Sequence, residues 1–479
     1  MKKIVSLLLA GVLTLGLCAC DGGGKEPKFE AGVLYAGFGR ADITPKISTP
    51  LGGYDSTDQR MSDRTLDNLY VTCIAFTDGD QTMLLFSADA VRSKDAWTDQ
   101  VRARVESELG VPGTNMMIVS THTHSAPNTN SSHSAMSEYT MLYVDACVQA
   151  AKDAMADRAK ATMSAGSVMT ESMTFVRHYQ MNDGTVSGPN FGSAESGYAG
   201  HVGRNDPEMI LYKLDREEKK DIVLMNFQAH PTMTGGATVT DLSSDYIGIC
   251  RDKIEKDADV LFAFYLGACG NQTPNSYIVE ENNVMPYADQ LGMTDRTYIS
   301  YGTALALYAL DLLPALTPVE GAAGIETTST VVTCNTNKQG SDKLLQAQEV
   351  VDIWETSGRD AGNAKAREYG FASVYEASGI LGQQDNPPTY DVEVYATRIG
   401  GMYFVNAPYE MFSENALYIK ENTPDNTMVM TQSNHAWGYI TDKTAFTYKC
   451  YENFGGTFAE GSGELLAENM VNLIKSLQK

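Results

Sequence analysis

Apolar residues in this chain fall mainly in short continuous runs broken by turn residues, the pattern of strands buried on both faces. "LYVTCIAF" (69–76) and "TMLLFSADA" (82–90) are two such runs, and the turn "TDGDQ" between them predicts a hairpin. Helical spacing starts near Asp95 and stops at Gly110, after which "NMMIVS" (115–120) reads as a further buried strand. Residues 136–158 space their apolar positions as a helix. "DIVLMNFQA" (221–229), a helix after Asp245, "VLFAFYLG" (260–267) and a helix over 297–313 continue the alternation. Residues 341–377 predict a charged helical pair, inserted before the strands "YDVEVYATRI" and "MYFVNAP", and "GELLAENMVNLIKSL" predicts a terminal helix. This order predicts an α/β fold of mixed sheets flanked by helices. The 479 residues leave room for two or three domains on length alone, but no linker or internal repeat divides them. A single large domain over 33–479 is therefore expected, with 341–377 as a helical insertion.

The first residues carry a different pattern. Lys2 and Lys3 precede an apolar run from Ile4 to Leu17 that is too short for an ordinary membrane span and reads as an export signal. "LCAC" (17–20) resembles a bacterial lipobox. That resemblance implies a signal peptide over 1–19, acylation of Cys20, and a flexible tether over 20–32, "DGGGKEPKFEAG" after the cysteine. The expected location is extracytoplasmic, anchored to the bacterial cell membrane through lipidated Cys20 without spanning it.

Composition narrows the partners. Loss of Lys2 and Lys3 with the leader takes the net charge from -24 to -26, which disfavours nucleic acid. Cysteines 73, 147, 250, 269, 334 and 450 lack CxxC spacing, so a thiolate zinc knuckle is not expected, while one or two disulfides stay open.

Only seven histidines are present, and two of them, His122 and His124, sit in "STHTHSAP" (120–127) at the end of an apolar run. On an extended strand, residues i and i+2 share a side, so both imidazoles would face one point. Such a pair suits a metal ligand and its neighbour, or two hydrogen-bonded polar residues at a strand end; the motif alone leaves both open. "VLMNFQAHP" delivers His230 in the same context. A hydrolytic zinc site needs a further ligand, commonly a carboxylate.

An ordered set of motifs then resembles the neutral or alkaline, non-lysosomal ceramidase family from about Gly37 to the C-terminus. The motifs are "GFGRADITP" with "LGGY", "IVSTHTHSAP", "NFQAHPT" followed by "SSD", "GACGNQTPN", "NAPYEMFSE", and "WGYIT" followed by "YE". The resemblance implies a zinc amidase that splits the N-acyl linkage of ceramide or a related N-acyl lipid with a metal-activated water. It implies four Zn²⁺ ligands, His122, His230, Glu410 and Tyr439, with Glu410 aligning better than Glu414, one helical turn on. His124 is the implied proton carrier, or otherwise a hydrogen-bonding group that orients the site. Arg177 in "FVRHY" matches an arginine that holds the developing oxyanion or the substrate headgroup.

Two departures qualify the resemblance. The family's Gly-Asp-x-Ser-Pro-Asn stretch reads "GNQTPN", with Asn271 for the aspartate and Thr273 for the serine. Thr273 keeps a hydroxyl for hydrogen bonding to a substrate hydroxyl, but its methyl narrows the pocket. The family's C-terminal immunoglobulin-like domain is not expected, because the chain ends at Lys479 soon after the terminal helix. The same chemistry on a non-sphingolipid amide or ester is the nearest alternative. A non-catalytic, metal-containing surface lipoprotein is the other, against which stands a proton carrier beside an open coordination position. The sequence sets no oligomeric state.

Overall fold

The computed structural model describes residues 29–478 apart from 55–59, 93, 171–172, 188–196, 237, 276–296, 320–322, 372 and 449. The leader, Cys20 and most of the tether fall outside the described residues. Among the described residues no helix is long and apolar enough to cross a membrane.

The expected hairpin forms as Tyr70–Thr77 and Thr82–Ala88, paired antiparallel with Thr77 opposite Thr82. It lies inside a large mixed sheet whose order runs Leu261–Leu266, Ile222–Phe227, Glu208–Arg216, Ala159–Met169, Tyr35–Asp42, Tyr70–Thr77, Thr82–Ala88, Met116–Ser120. The two outermost pairs are parallel and the rest of this path is antiparallel. The sheet curls until its opposite ends approach, and the Tyr265 hydroxyl donates to the carbonyl of Leu85 at 3.4 Å.

Continuous apolar runs are explained by what covers each face. Cys73, Ala75, Leu84, Phe86, Met116 and Ile118 point outward, under the helices Asp95–Leu109 and Ala135–Ala156. Their neighbours Ile74, Phe76, Leu85, Met117 and Val119 point inward, towards a second sheet. Farther along, Val223, Met225, Phe262 and Phe264 face the helices Asp245–Ala258 and Tyr298–Leu312, while Leu224, Ala263 and Tyr265 face inward. Each fully buried Phe or Leu contributes about 1.5–3 kcal/mol, so an alternating polar face would weaken both layers.

The second sheet has the order Ile325–Asn335, Thr389–Ile399, Met402–Ala407, Met428–Thr431. Its outer face packs against the helices Ser413–Glu421 and Ser462–Ser476. The result is the expected α/β arrangement of mixed sheets flanked by helices. The strands Ala159–Met169 and Ile325–Asn335 had no distinct run, because small and polar residues interrupt them, and the run Met209–Tyr212 inside Glu208–Arg216 is only four residues long.

Two expectations are corrected. The insertion holds three helices, Leu344–Ser357, Arg359–Glu368 and Val374–Gly382, instead of a pair. Gly358, at φ 88, breaks the first from the second, and the Ser373 side chain caps the third by accepting from the Tyr375 N–H. The disulfides left open do not form: Cys73, Cys147, Cys250, Cys269, Cys334 and Cys450 are all buried as free thiols.

Candidate metal centre

Loops leaving the C-terminal ends of strands from both sheets meet at one buried point. Met116–Ser120 leads to His122 and His124, Ile222–Phe227 to His230, Leu261–Leu266 to 270–273, and Met402–Ala407 to Glu410. Glu410 pairs with Tyr439 in a short parallel bridge, and the Glu410 N–H donates to the carbonyl of Gly438 at 2.8 Å.

His122 and His124 do not converge by sharing the side of an extended strand, as the spacing suggested. The strand stops at Ser120, and His122 is left-handed at φ 66. That conformation costs a non-glycine residue about 1–3 kcal/mol, and it turns the two rings edge to face at 4.9 Å between centroids. The His122 N–H holds the turn by donating to the carbonyl of Ala90 at 2.9 Å.

The ring nitrogens are sorted by their partners. His122 Nδ1 contacts the carbonyl of Val91 and His230 Nδ1 lies 3.0 Å from that of Cys269. A carbonyl only accepts, so both Nδ1 atoms carry the proton and both Nε2 atoms present a lone pair. His124 Nε2 lies 3.3 Å from His122 Nε2 and 2.9 Å from His230 Nε2, whereas its buried Nδ1 has no hydrogen-bond partner among the described residues. Glu410 Oε2, also buried and without a hydrogen-bond partner among the described residues, is 3.4 Å from His122 Nε2 and 3.9 Å from His230 Nε2.

These atoms fit a metal ion. Three ring nitrogens face one another with one proton at most among them, enough for a single hydrogen bond, whereas a cation between them would engage every lone pair. A tetrahedral ion with bonds of about 2.0–2.1 Å sets its ligands roughly 3.3 Å apart, close to the spacing found. Electrostatics agree with the arrangement. Burial, with His122 next, pushes His124 and His230 well below the usual imidazole range and keeps both neutral. Burial by itself would raise the Glu410 carboxyl; positive charge at the His122 and His230 positions, which a cation bound between these rings would supply, holds it well below the usual carboxylate range.

Glu414, the rival carboxylate, lies elsewhere, paired with Arg204 at 2.8 Å on the surface. Arg177 is buried behind Tyr439, its Nη2 donating to the Tyr439 oxygen at 3.2 Å, to Gly270 O at 2.7 Å and to Glu452 Oε1 at 2.9 Å. Thr273 is buried in the strand Gln272–Pro274, next to Gln272, whose carbonyl accepts from the His230 N–H at 3.1 Å.

Asn271 has a structural reason to be an amide. Its Oδ1 accepts from the Ser413 N–H at 2.8 Å, and its Nδ2 donates to Ser413 Oγ at 3.1 Å. Ser413 Oγ already donates to the carbonyl of Arg204, so it needs a donor that an ionised carboxylate lacks. Gly270 allows this seam to close, since a Cβ there would meet Glu410 O at 2.6 Å.

The "LGGY" motif also has a local role. At Gly53, φ 98, a Cβ would stand 2.4 Å from His124 Cγ, and the Tyr54 ring packs edge to face on His124 at 4.8 Å. Gly53→Ala is expected to displace the His124 ring and lower kcat about a hundredfold, the usual consequence of a displacement near 1 Å, while metal content stays. Paired kinetics and metal analysis check this; unchanged kcat would mean the ring has slack on that side.

Known proteins resemble the chain at two levels. The sequence profile of the neutral/alkaline non-lysosomal ceramidase N-terminal region matches residues 34–277, about half of the chain. The chain belongs to this ceramidase family. Family membership makes amide hydrolysis the activity class. No curated protein sequence matches the chain. Among solved structures, a neutral ceramidase from Pseudomonas aeruginosa shares the fold at a TM-score of 0.67 and 16% identity, over 93% of this chain and 74% of that one. A ceramidase complexed with C2 does so at 0.65 and 16%, over 93% and 75%.

Sequence reasoning gave no role to His178 and Glu452. Together with Cys450 they form a second buried cluster beside Arg177. The only signal was in "RHY" and "YE", motifs read for their other residues.

Proposed function

We propose that this ceramidase-family chain is a zinc-dependent hydrolase of ceramide or a related N-acyl lipid. His122, His230, Glu410 and Tyr439 would hold Zn²⁺ and His124 would carry the proton. The observation that carries this reading is the meeting of three imidazole Nε2 atoms at one buried point, where those of His122 and His230 face the Glu410 carboxylate. When bound there, Zn²⁺ supplies Lewis acidity that makes water nucleophilic near neutral pH and polarises an amide carbonyl.

The division of roles among the histidines rests on their second nitrogens. Metal-binding imidazoles commonly donate the other N–H to a carbonyl, as His122 and His230 do. His124 Nδ1 has no such anchor among the described residues, and its Nε2 would take a proton from water and pass it to the leaving amine nitrogen. A competing reading, with His124 as a third nitrogen ligand, is favoured by its 2.9 Å approach to His230 Nε2. Arg177, through its charge behind Tyr439, would favour negative charge developing on the substrate oxygen. A lipid anchor at Cys20, outside the cytoplasmic membrane, would hold this site near amphiphilic substrates.

Hydrolysis of a panel of N-acyl lipids by zinc-loaded protein, with His122→Ala as control, tests the proposal. Cleavage confined to simple amides or esters would replace the substrate class while keeping the metal chemistry. Metal binding with no hydrolysis at all would leave a binding protein.

Thr273 is proposed to bind a substrate hydroxyl. Losing that bond strands a buried polar group, a cost of about 1–3 kcal/mol. Thr273→Val is therefore expected to lower kcat/KM roughly tenfold or more on a hydroxylated N-acyl substrate and to change little on the analogue lacking that hydroxyl. Equal losses on both would make Thr273 a packing residue.

A further inference from the structure

The cluster behind the metal centre has the residue types of a second metal site, yet its charges argue otherwise. Glu452 is fully buried, and its Oε1 receives Arg177 Nη2 at 2.9 Å and lies 3.2 Å from His178 Nε2. A metal ion bound to that oxygen would share it with a guanidinium. His178 is in turn fixed from its other side, with Nδ1 2.8 Å from the Tyr448 hydroxyl. The same Arg177 Nη2 reaches forward to the Tyr439 oxygen at 3.2 Å, and Tyr439 pairs with Glu410 across the short parallel bridge. The order from the interior outwards is thus His178, carboxylate, guanidinium, phenol oxygen, carboxylate, histidine cluster.

We propose that Glu452 is a positioning residue: clamped by His178, it fixes Arg177 so that the guanidinium aims the Tyr439 oxygen at the metal centre. This rests on Tyr439 being a metal ligand. A guanidinium left without its counter-ion in this buried place would swing or draw in water, and Arg177 also holds Gly270 O, the seam against Glu410. Burial by itself would raise the Glu452 carboxyl, but His178 and Arg177 hold it below the usual range, in keeping with the ion pair to Arg177.

The test is a double-mutant cycle of Glu452→Gln and Tyr439→Phe, read in two ways. One is turnover of the zinc enzyme; the other is the phenolate-to-metal charge-transfer band of protein loaded with iron(III), which reports the ligand without any reaction. Glu452→Gln is expected to weaken or shift the band and lower kcat about 10–100-fold at nearly constant KM, with metal content unchanged. In the Tyr439→Phe background it should add nothing. An equal loss in both backgrounds, or an unaltered band in Glu452→Gln, would overturn the positioning role while the ligand set stands. A Tyr439→Phe protein that keeps band and turnover would remove the ligand reading and this proposal together. Loss of a second metal equivalent in Glu452→Gln would show a metal site here instead of a clamp. Should Glu452→Gln not fold, Arg177→Lys serves: it keeps the charge but loses the planar fork, and must alter the same band.

Discussion

His122→Ala and His230→Ala are each expected to leave the purified protein without tightly held zinc and with hydrolysis at background. The proposed ligands come from residues 122, 230, 410 and 439, which only the folded chain brings together, so metal binding and folding are one equilibrium. Removing either imidazole takes away a lone pair whose orientation is already fixed by a carbonyl, Val91 for one ring and Cys269 for the other. Thermal denaturation supplies a second readout. Zinc at a hundred times its dissociation constant stabilises the native state by about 2.7 kcal/mol, so the wild type should gain in Tm on zinc addition and the variants should not. Equal zinc content in wild type and His230→Ala would overturn the ligand assignment.

His124→Ala is expected to part the two functions that His122→Ala removes together. The variant should keep most of the metal and the fold while kcat falls by about 10²–10⁴, the range for loss of a general acid or base. The structure makes this a sharp comparison, because all three rings present Nε2 to the same point but, among the described residues, the Nδ1 of His124 alone meets no carbonyl. Loss of metal as complete as in His122→Ala would make His124 a ligand and shift proton transfer to another group. Retained metal with retained turnover would remove it from the chemistry altogether.

Much of the fold was legible because burial on both faces leaves a plain trace. "LYVTCIAF", "TMLLFSADA", "NMMIVS" and "VLFAFYLG" are strands with a helix layer on one side and a second sheet on the other, so nearly every residue in them is apolar. Strands such as Ala159–Met169, with a partly exposed face and small residues, leave no such trace. The insertion looked like a helical pair because charge and apolar spacing persist through Gly358, where only the backbone angle ends the helix.

The sequence alone determined that histidines stand at two strand ends and that a carboxylate and a tyrosine recur in ordered motifs, since strand length and burial are local properties. Tertiary structure decided how they meet. His122 reaches the cluster through a left-handed turn held by Ala90, and Asn271 is an amide because Ser413, 142 residues away, needs both a donor and an acceptor. Glu452 acquires a role only through Arg177, 275 residues distant. Periodicity reports which face of an element is buried; it carries no record of which distant hydrogen-bonding group will face a given side chain, because that pairing is set by the packing of layers and by the requirement that every buried charge find its partner.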